Sequence, residues 1–154
     1  MCCNGSLHAR VAVRVQHVPL VRKLGLKLET LDEKRATFPL PCSLFKNDCC
    51  SVYPDHPPSC QTYKCALLLK YEAGGATIDE GLAIVRAAKG LLEGWSERIA
   101  QGNLWDRVRA ELKESPDTLD AGQRRERADL SLRAGSLRIL LKNHFWKPED
   151  GDRG

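Results

Sequence analysis

Val11, Val13 and Val15 alternate with Arg10, Ala12 and Arg14, the two-residue period of a half-buried strand. Two further strands are predicted. Lys27–Leu31 has Leu28 and Leu31 as its apolar members, and Ala36–Leu40 follows the charged turn Asp32-Glu33-Lys34. Together they predict a small antiparallel sheet leading directly to Cys42. Residues 41–65 then lose all periodicity. Pro41, Pro54, Pro57 and Pro58 remove backbone donors and interrupt helix and ladder alike, so Ser51–Pro58 is predicted as a rigid loop. From Cys60 a helical period sets in: Tyr63, Leu67 and Tyr71, with Leu68 beside them, predict a helix stopped by Gly74-Gly75.

The C-terminal half predicts helices. Thr77 and Glu80 have capping-box spacing, in which the hydroxyl accepts from the amide three residues on and the carboxylate reaches back. Ile78, Leu82, Val85, Leu92, Trp95 and Ile99 then keep a 3.6-residue period, predicting one apolar face to about Ala100. A short helix after Asn103 is expected to bury Leu104, Val108 and Leu112 and to end before Ser115-Pro116. Asp120 can cap a last helix whose stripe is Leu130, Ala134, Leu137, Leu141 and Phe145. Trp95, Trp105 and Trp146 read as core or interface anchors.

Composition changes this picture in one respect. The 154 residues are 42% hydrophobic and 29% charged, enough apolar content for a core, and the net charge of +4 does not select nucleic acid as a partner. All seven cysteines, however, fall before residue 66: Cys2, Cys3, Cys42, Cys49, Cys50, Cys60 and Cys65. Residues 1–10 lack the basic start and apolar run of a signal peptide, and no apolar stretch approaches the ~20 residues that span a bilayer. The expectation is a cytoplasmic protein with reduced thiols and no membrane partner. An odd count also argues against a closed disulfide framework. With so few aliphatic residues between 41 and 65, a bound metal would supply the staple that the segment lacks. No C-x-x-C pair occurs, which removes the zinc-ribbon spacing and the thioredoxin-like redox pair. Adjacent cysteines point to opposite faces of extended chain, so one of a pair ligates while its neighbour packs, or the two serve different ions.

The stretch Cys50-Ser51-Val52-Tyr53-Pro54-Asp55-His56-Pro57-Pro58-Ser59-Cys60-Gln61-Thr62-Tyr63-Lys64-Cys65 resembles the signature C-S-I-Y-x-x-R-P-x-x-C-R-x-F/Y-x-C of the YkgJ-like cysteine-cluster proteins. Cys42 matches the cysteine that opens that family's second cysteine segment, and Cys2-Cys3-Asn4-Gly5 looks like the end of its first motif, C-x-x-C-x-x-C-C. The resemblance covers about residues 2–75. It implies a zinc- or iron-chelating domain, with Cys2 or Cys3, Cys42, Cys50, Cys60 and Cys65 as ligands. Cys49 falls between family positions. His56 stands where the family has Arg, so a permanently charged fork is replaced by a surface imidazole or a nitrogen ligand. Tyr53 and Tyr63 match aromatic positions and would shield the site. The upstream C-x-x-C has no counterpart.

Other chemistry is thinly represented. His8, His17 and His144 have no partner spacing. Arg124, Arg125, Arg127, Arg133, Arg138 and Lys142 are interrupted by Glu126 and Asp129 with no interleaved aromatic, the pattern of a solvated helix face rather than a nucleic-acid footprint. No phosphate loop, G-x-S-x-G elbow, H-E-x-x-H or dinucleotide fingerprint occurs. The expected protein is therefore α+β: a small irregular, metal-stapled sheet and loop region over 1–75, a helical region over 76–147 packed on it, and a polar tail at 148–154, as one compact domain. Its expected function is holding zinc or an iron–sulfur cluster through cysteine thiolates. The alternatives are a cluster-dependent enzyme by analogy with the flagellin lysine methylases, which carry a similar cluster, and a zinc-stapled module that shows its helical half to a protein or RNA partner.

Overall fold

The computed structural model describes residues 1–30, 34–53, 55–93, 95, 103–113 and 119–147. The α+β order holds: two small antiparallel sheets lie in the N-terminal half, and helices make up the rest. The chain forms two compact units, Met1–Tyr63 with Ile99–Asn103, and Lys64–Arg98 with Leu104–Gly154. The predicted tail at 148–154 and the positions of Ile99, Ser115 and Pro116 lie outside the described residues.

In the first unit, β1 (Arg10–Arg14) pairs with β3 (Arg35–Pro39), which also pairs with β2 (Glu29–Thr30), all antiparallel in the order β1-β3-β2. The register sets Val11 opposite Phe38 and Val13 opposite Ala36. Val13, Val21, Leu26, Phe38 and Leu40 form the buried core, with Cys42 and Cys60 among the half-buried residues packed against it. Two elements were not predicted. A single 3₁₀ turn (Val15–His17) leads into α1 (Val18–Lys23), which puts Val21 into the core. Pro19 in its first turn and Gly25 after it, at φ +77°, mark its two ends. The second element is a hairpin, β4 (Phe45–Lys46) and β5 (Cys49–Cys50), just before the predicted Ser51–Pro58 loop and within the proline-interrupted stretch 41–65. Asn47 and Asp48 both take positive φ, 49° and 59°, and form its two-residue turn.

The helix predicted from Cys60 through Tyr71 is two helices, α2 (Pro58–Thr62) and α3 (Ala66–Glu72). Tyr63 and Cys65 are extended, with ψ 126° and 164°, and break the run. The glycine stop is as predicted: Gly74 takes φ +72° and its amide donates to the Tyr71 carbonyl.

In the second unit, α4 (Ile78–Leu92) packs against α3 and against the long α6 (Ala121–His144), which also packs on α5 (Leu104–Lys113). Both predicted N-caps are complete boxes. Glu80 N–H donates to Thr77 Oγ1 at 3.2 Å and Thr77 N–H to Glu80 Oε2 at 2.7 Å. Asp120 and Gln123 exchange the same pair of bonds, each at 2.9 Å. Thr77→Ala and Asp120→Ala are each expected to lower stability by about 1 kcal/mol, read from urea midpoints; a change below about 0.2 kcal/mol would contradict the caps. The stripe Leu130, Ala134, Leu137 and Leu141, with Phe145 at the end, is buried as predicted, as are Leu104 and Val108, while Leu112 is half-buried.

The predicted face of α4 is corrected. The helix ends at Leu92 rather than Ala100, and its covered side runs through Ala88 and Leu92, leaving Ile78 60% and Leu82 46% exposed. Several apolar residues surround this helix, so their period alone did not fix which side its neighbours cover. Among the described residues, no helix is long and apolar enough to cross a membrane.

Candidate metal centre

Four short segments of the first unit carry sulfur, and backbone contacts join three of them: the N-terminal turn, Cys42 and the hairpin that follows it. The N-terminal turn holds Cys2 and Cys3. Its Gly5 has φ +81°, and a Cβ there would come within 3.3 Å of the Pro41 nitrogen, so only glycine lets this turn lie against Leu40-Pro41 without displacement. That peptide bond is cis. Ser6, fully buried, donates its amide to Asn4 Oδ1 at 3.1 Å, and Asn103 Nδ2 donates to the Gly5 carbonyl. The amide of Cys42 donates to the Cys3 carbonyl at 2.8 Å, which sets these two cysteines side by side.

Cys42 leads into the β4–β5 hairpin, where Phe45 N–H donates to its carbonyl and Ser51 N–H to that of Leu44. On β5, Cys49 is exposed and Cys50 half-buried, the alternation that adjacent residues of a strand must show. Cys60 sits in α2, which packs on β1. Its amide donates to the Pro57 carbonyl at 2.7 Å, and its side chain rests on the same apolar core as Cys42.

Electrostatics ties the sulfurs together further. Burial pushes the Cys60 thiol up to about 12, and the Cys3, Cys42, Cys50 and Cys2 sulfurs each add to that shift. Burial likewise raises Cys3, reinforced by Cys42 and Cys50 and opposed by the N-terminal ammonium. Cys42 is raised by burial and by Cys50, while hydrogen bonds from the backbone amides of Leu44 and Phe45 work the other way. Charge on any one of these sulfurs makes the others harder to ionise. A thiol in that condition is a poor nucleophile at neutral pH, which argues against covalent catalysis by Cys60. A cation is the partner that reverses both the desolvation and the mutual repulsion.

All seven cysteines are free thiols. Among the described residues, no three His, Cys, Asp or Glu side chains converge in ligating geometry. The structure thus gathers Cys2, Cys3, Cys42, Cys50 and Cys60 within electrostatic reach of one another without closing them around a point. In donor chemistry the set fits zinc or an iron–sulfur cluster, since both take thiolates. Cys65 belongs to the second unit, where it precedes α3 and its carbonyl accepts from Leu69 N–H. His56 stacks on Tyr53, with ring centroids 4.7 Å apart and planes 14° from parallel, and its carbonyl accepts from Gln61 Nε2.

One contact had no signal in the sequence. His8 Nε2 lies 2.7 Å from Tyr63 Oη, with the rings edge-on at 5.1 Å. This pair ties the residues before β1 to the end of α2, so it joins the segments that carry Cys3 and Cys60. Fifty-five positions separate the two residues, and no spacing rule reaches that far. Compared with family models, curated proteins and solved structures, the chain matches none.

Proposed function

We propose that the N-terminal unit is a metal-binding module that holds zinc or an iron–sulfur cluster through cysteine thiolates. The observation that carries this reading is that Cys3, Cys42, Cys50 and Cys60, from four separate segments, lie within electrostatic reach of one another, with Cys42 and Cys60 on one small core. Cys2 belongs to the same group. Cys49 and His56 are the outlying candidates of the same unit. The bound ion or cluster supplies the positive charge that keeps these sulfurs ionised. The chain supplies the rest: amides of Leu44 and Phe45 that stabilise a thiolate at Cys42, and an apolar floor beneath Cys42 and Cys60. Free thiols in this number belong in a reducing compartment such as the cytoplasm.

Because burial, with the neighbouring sulfurs, raises the Cys3, Cys42 and Cys60 thiols above their ordinary range, metal must displace protons from them. Zinc uptake is expected to release about one proton per ligand thiol, and apparent affinity to tighten by about tenfold per pH unit for each proton released. The sign follows from pKa values raised above the working pH: lowering pH strengthens the competing proton, and raising it weakens that competitor. Zinc titration in weak buffer with a pH indicator reads this directly. Uptake without proton release, or a Cys60→Ser protein with unchanged metal content, would overturn the ligand assignment.

A further inference from the structure

Helix α6 has a second seam. Its core side is Leu130, Ala134, Leu137 and Leu141, all buried. On the opposite side Leu132 and Ile139 are 72% and 64% exposed, two turns apart. Gly135 and Ser136 stand between them and are exposed, so two apolar knobs border a shallow stretch of backbone. Glycine is the poorest helix former after proline. A Cβ at Gly135 would nevertheless meet nothing within 4 Å, so no packing inside the chain requires it. Positions 125, 128, 132, 135, 139 and 142 step alternately by three and four residues, the spacing of a coiled-coil seam.

The charge around this seam has one sign. Arg125 opens it, Lys142 closes it and Arg124 flanks it, all exposed. The acid beside it, Asp129, is engaged by Arg133 at 2.8 Å. A second copy of the chain would set Arg125 against Lys142 in an antiparallel pairing, or Arg125 against itself in a parallel one; both repel. By contrast, the apolar exposure on α3 and α4 (Leu68, Leu69, Tyr71, Ile78 and Leu82) lies among Lys70, Asp79 and Lys89 and selects no partner by charge.

We propose that the outer face of α6 docks an amphipathic helix of a partner protein, which lays an apolar stripe over Leu132, Gly135 and Ile139 and presents acidic residues to Arg124, Arg125 and Lys142. Recognition is of the helix-to-helix kind, in which close backbone approach at the glycine gives contact area and the flanking charge chooses the partner.

Fluorescence anisotropy of the full chain tests this with two labelled synthetic helices of about three heptads, both with leucine at the seam positions. One carries glutamate at the flanking positions and the other lysine. The glutamate helix is expected to bind and to weaken as salt rises, and the lysine helix is not. Leu132→Gln and Ile139→Gln should each weaken binding by about tenfold. Gly135→Leu should weaken it at least as much, while circular dichroism shows α6 no less helical and the melting temperature no lower. The proposal is overturned if the glutamate helix fails to bind, if both helices bind alike, or if Gly135→Leu leaves binding unchanged. It is also overturned if sedimentation shows self-association that Gly135→Leu abolishes, since the occupant is then a second copy.

Discussion

If the thiols hold structural zinc, a chelator is expected to unfold the sheet and loop region of the first unit. Among the described residues its buried apolar side chains are Leu7, Val13, Val21, Leu26, Ala36, Phe38 and Leu40. Small cores of this kind rarely sustain a fold without disulfides, metal or assembly, and the cysteines form no disulfide. Structural zinc contributes roughly 10–16 kcal/mol of apparent binding free energy in small domains, against a net stability of about 5–15 kcal/mol for an entire domain. Removing a term of that size cancels most or all of such a stability. Amide exchange reads the result locally: protection in β1, β2 and β3 should collapse on chelation and return when metal is added back. Protection that survives complete metal removal would show that the core suffices alone.

Truncating Phe38 to alanine is expected to lower stability by about 3–5 kcal/mol, the range for a buried aromatic lost from a core. Phe38 is 1% exposed on the central strand β3, opposite Val11. Few neighbours are available to close the space it would leave. Because Cys42 and Cys60 rest on the same cluster, the loss should also weaken metal binding, a coupling that a purely local packing defect would not produce. Urea unfolding of the metal-loaded protein gives the first effect, and competition with a chromophoric chelator gives the second. If stability falls while metal affinity is unchanged, the apolar floor does not position the thiols.

The elements that were legible in the sequence are those whose signal is local. Thr77 with Glu80, and Asp120 with Gln123, satisfy helix-end amides within four residues, so their spacing carries the whole interaction. The α6 stripe repeats over four turns, and repetition fixes its phase. The β1 alternation is short and holds for Val11 and Val13, while Val15 leaves the strand in the 3₁₀ turn and is 53% exposed. What was missed depended on distant partners or on very short elements. Helix α1 spans six residues, too few to show a period, although Pro19 and Gly25 bracket it. The β4–β5 hairpin hid inside a proline-rich stretch, and only Asn47-Asp48 advertised its turn. The break after Thr62 falls among Tyr63, Leu67 and Tyr71, whose spacing fits one helix equally well.

The candidate site divides in the same way. The confinement of cysteines to residues 2–65 is a property of sequence. Which of them meet is set by Gly5 against Pro41, by Cys42 bonded to Cys3, and by α2 on β1, contacts between segments far apart in the chain. The exposure of Cys49 beside a half-buried Cys50 was accessible from strand geometry once the hairpin was known.

Metal bound by these sulfurs would be carried through a gentle purification. Purification without oxygen, followed by metal and sulfide analysis and a visible spectrum, tests for it most directly. The account predicts either about one zinc per chain in a colourless protein, or iron with acid-labile sulfide and absorption near ~400 nm, in both cases lost in Cys60→Ser. Protein that contains no zinc, iron or sulfide under these conditions, and takes up no zinc when it is offered, would contradict it.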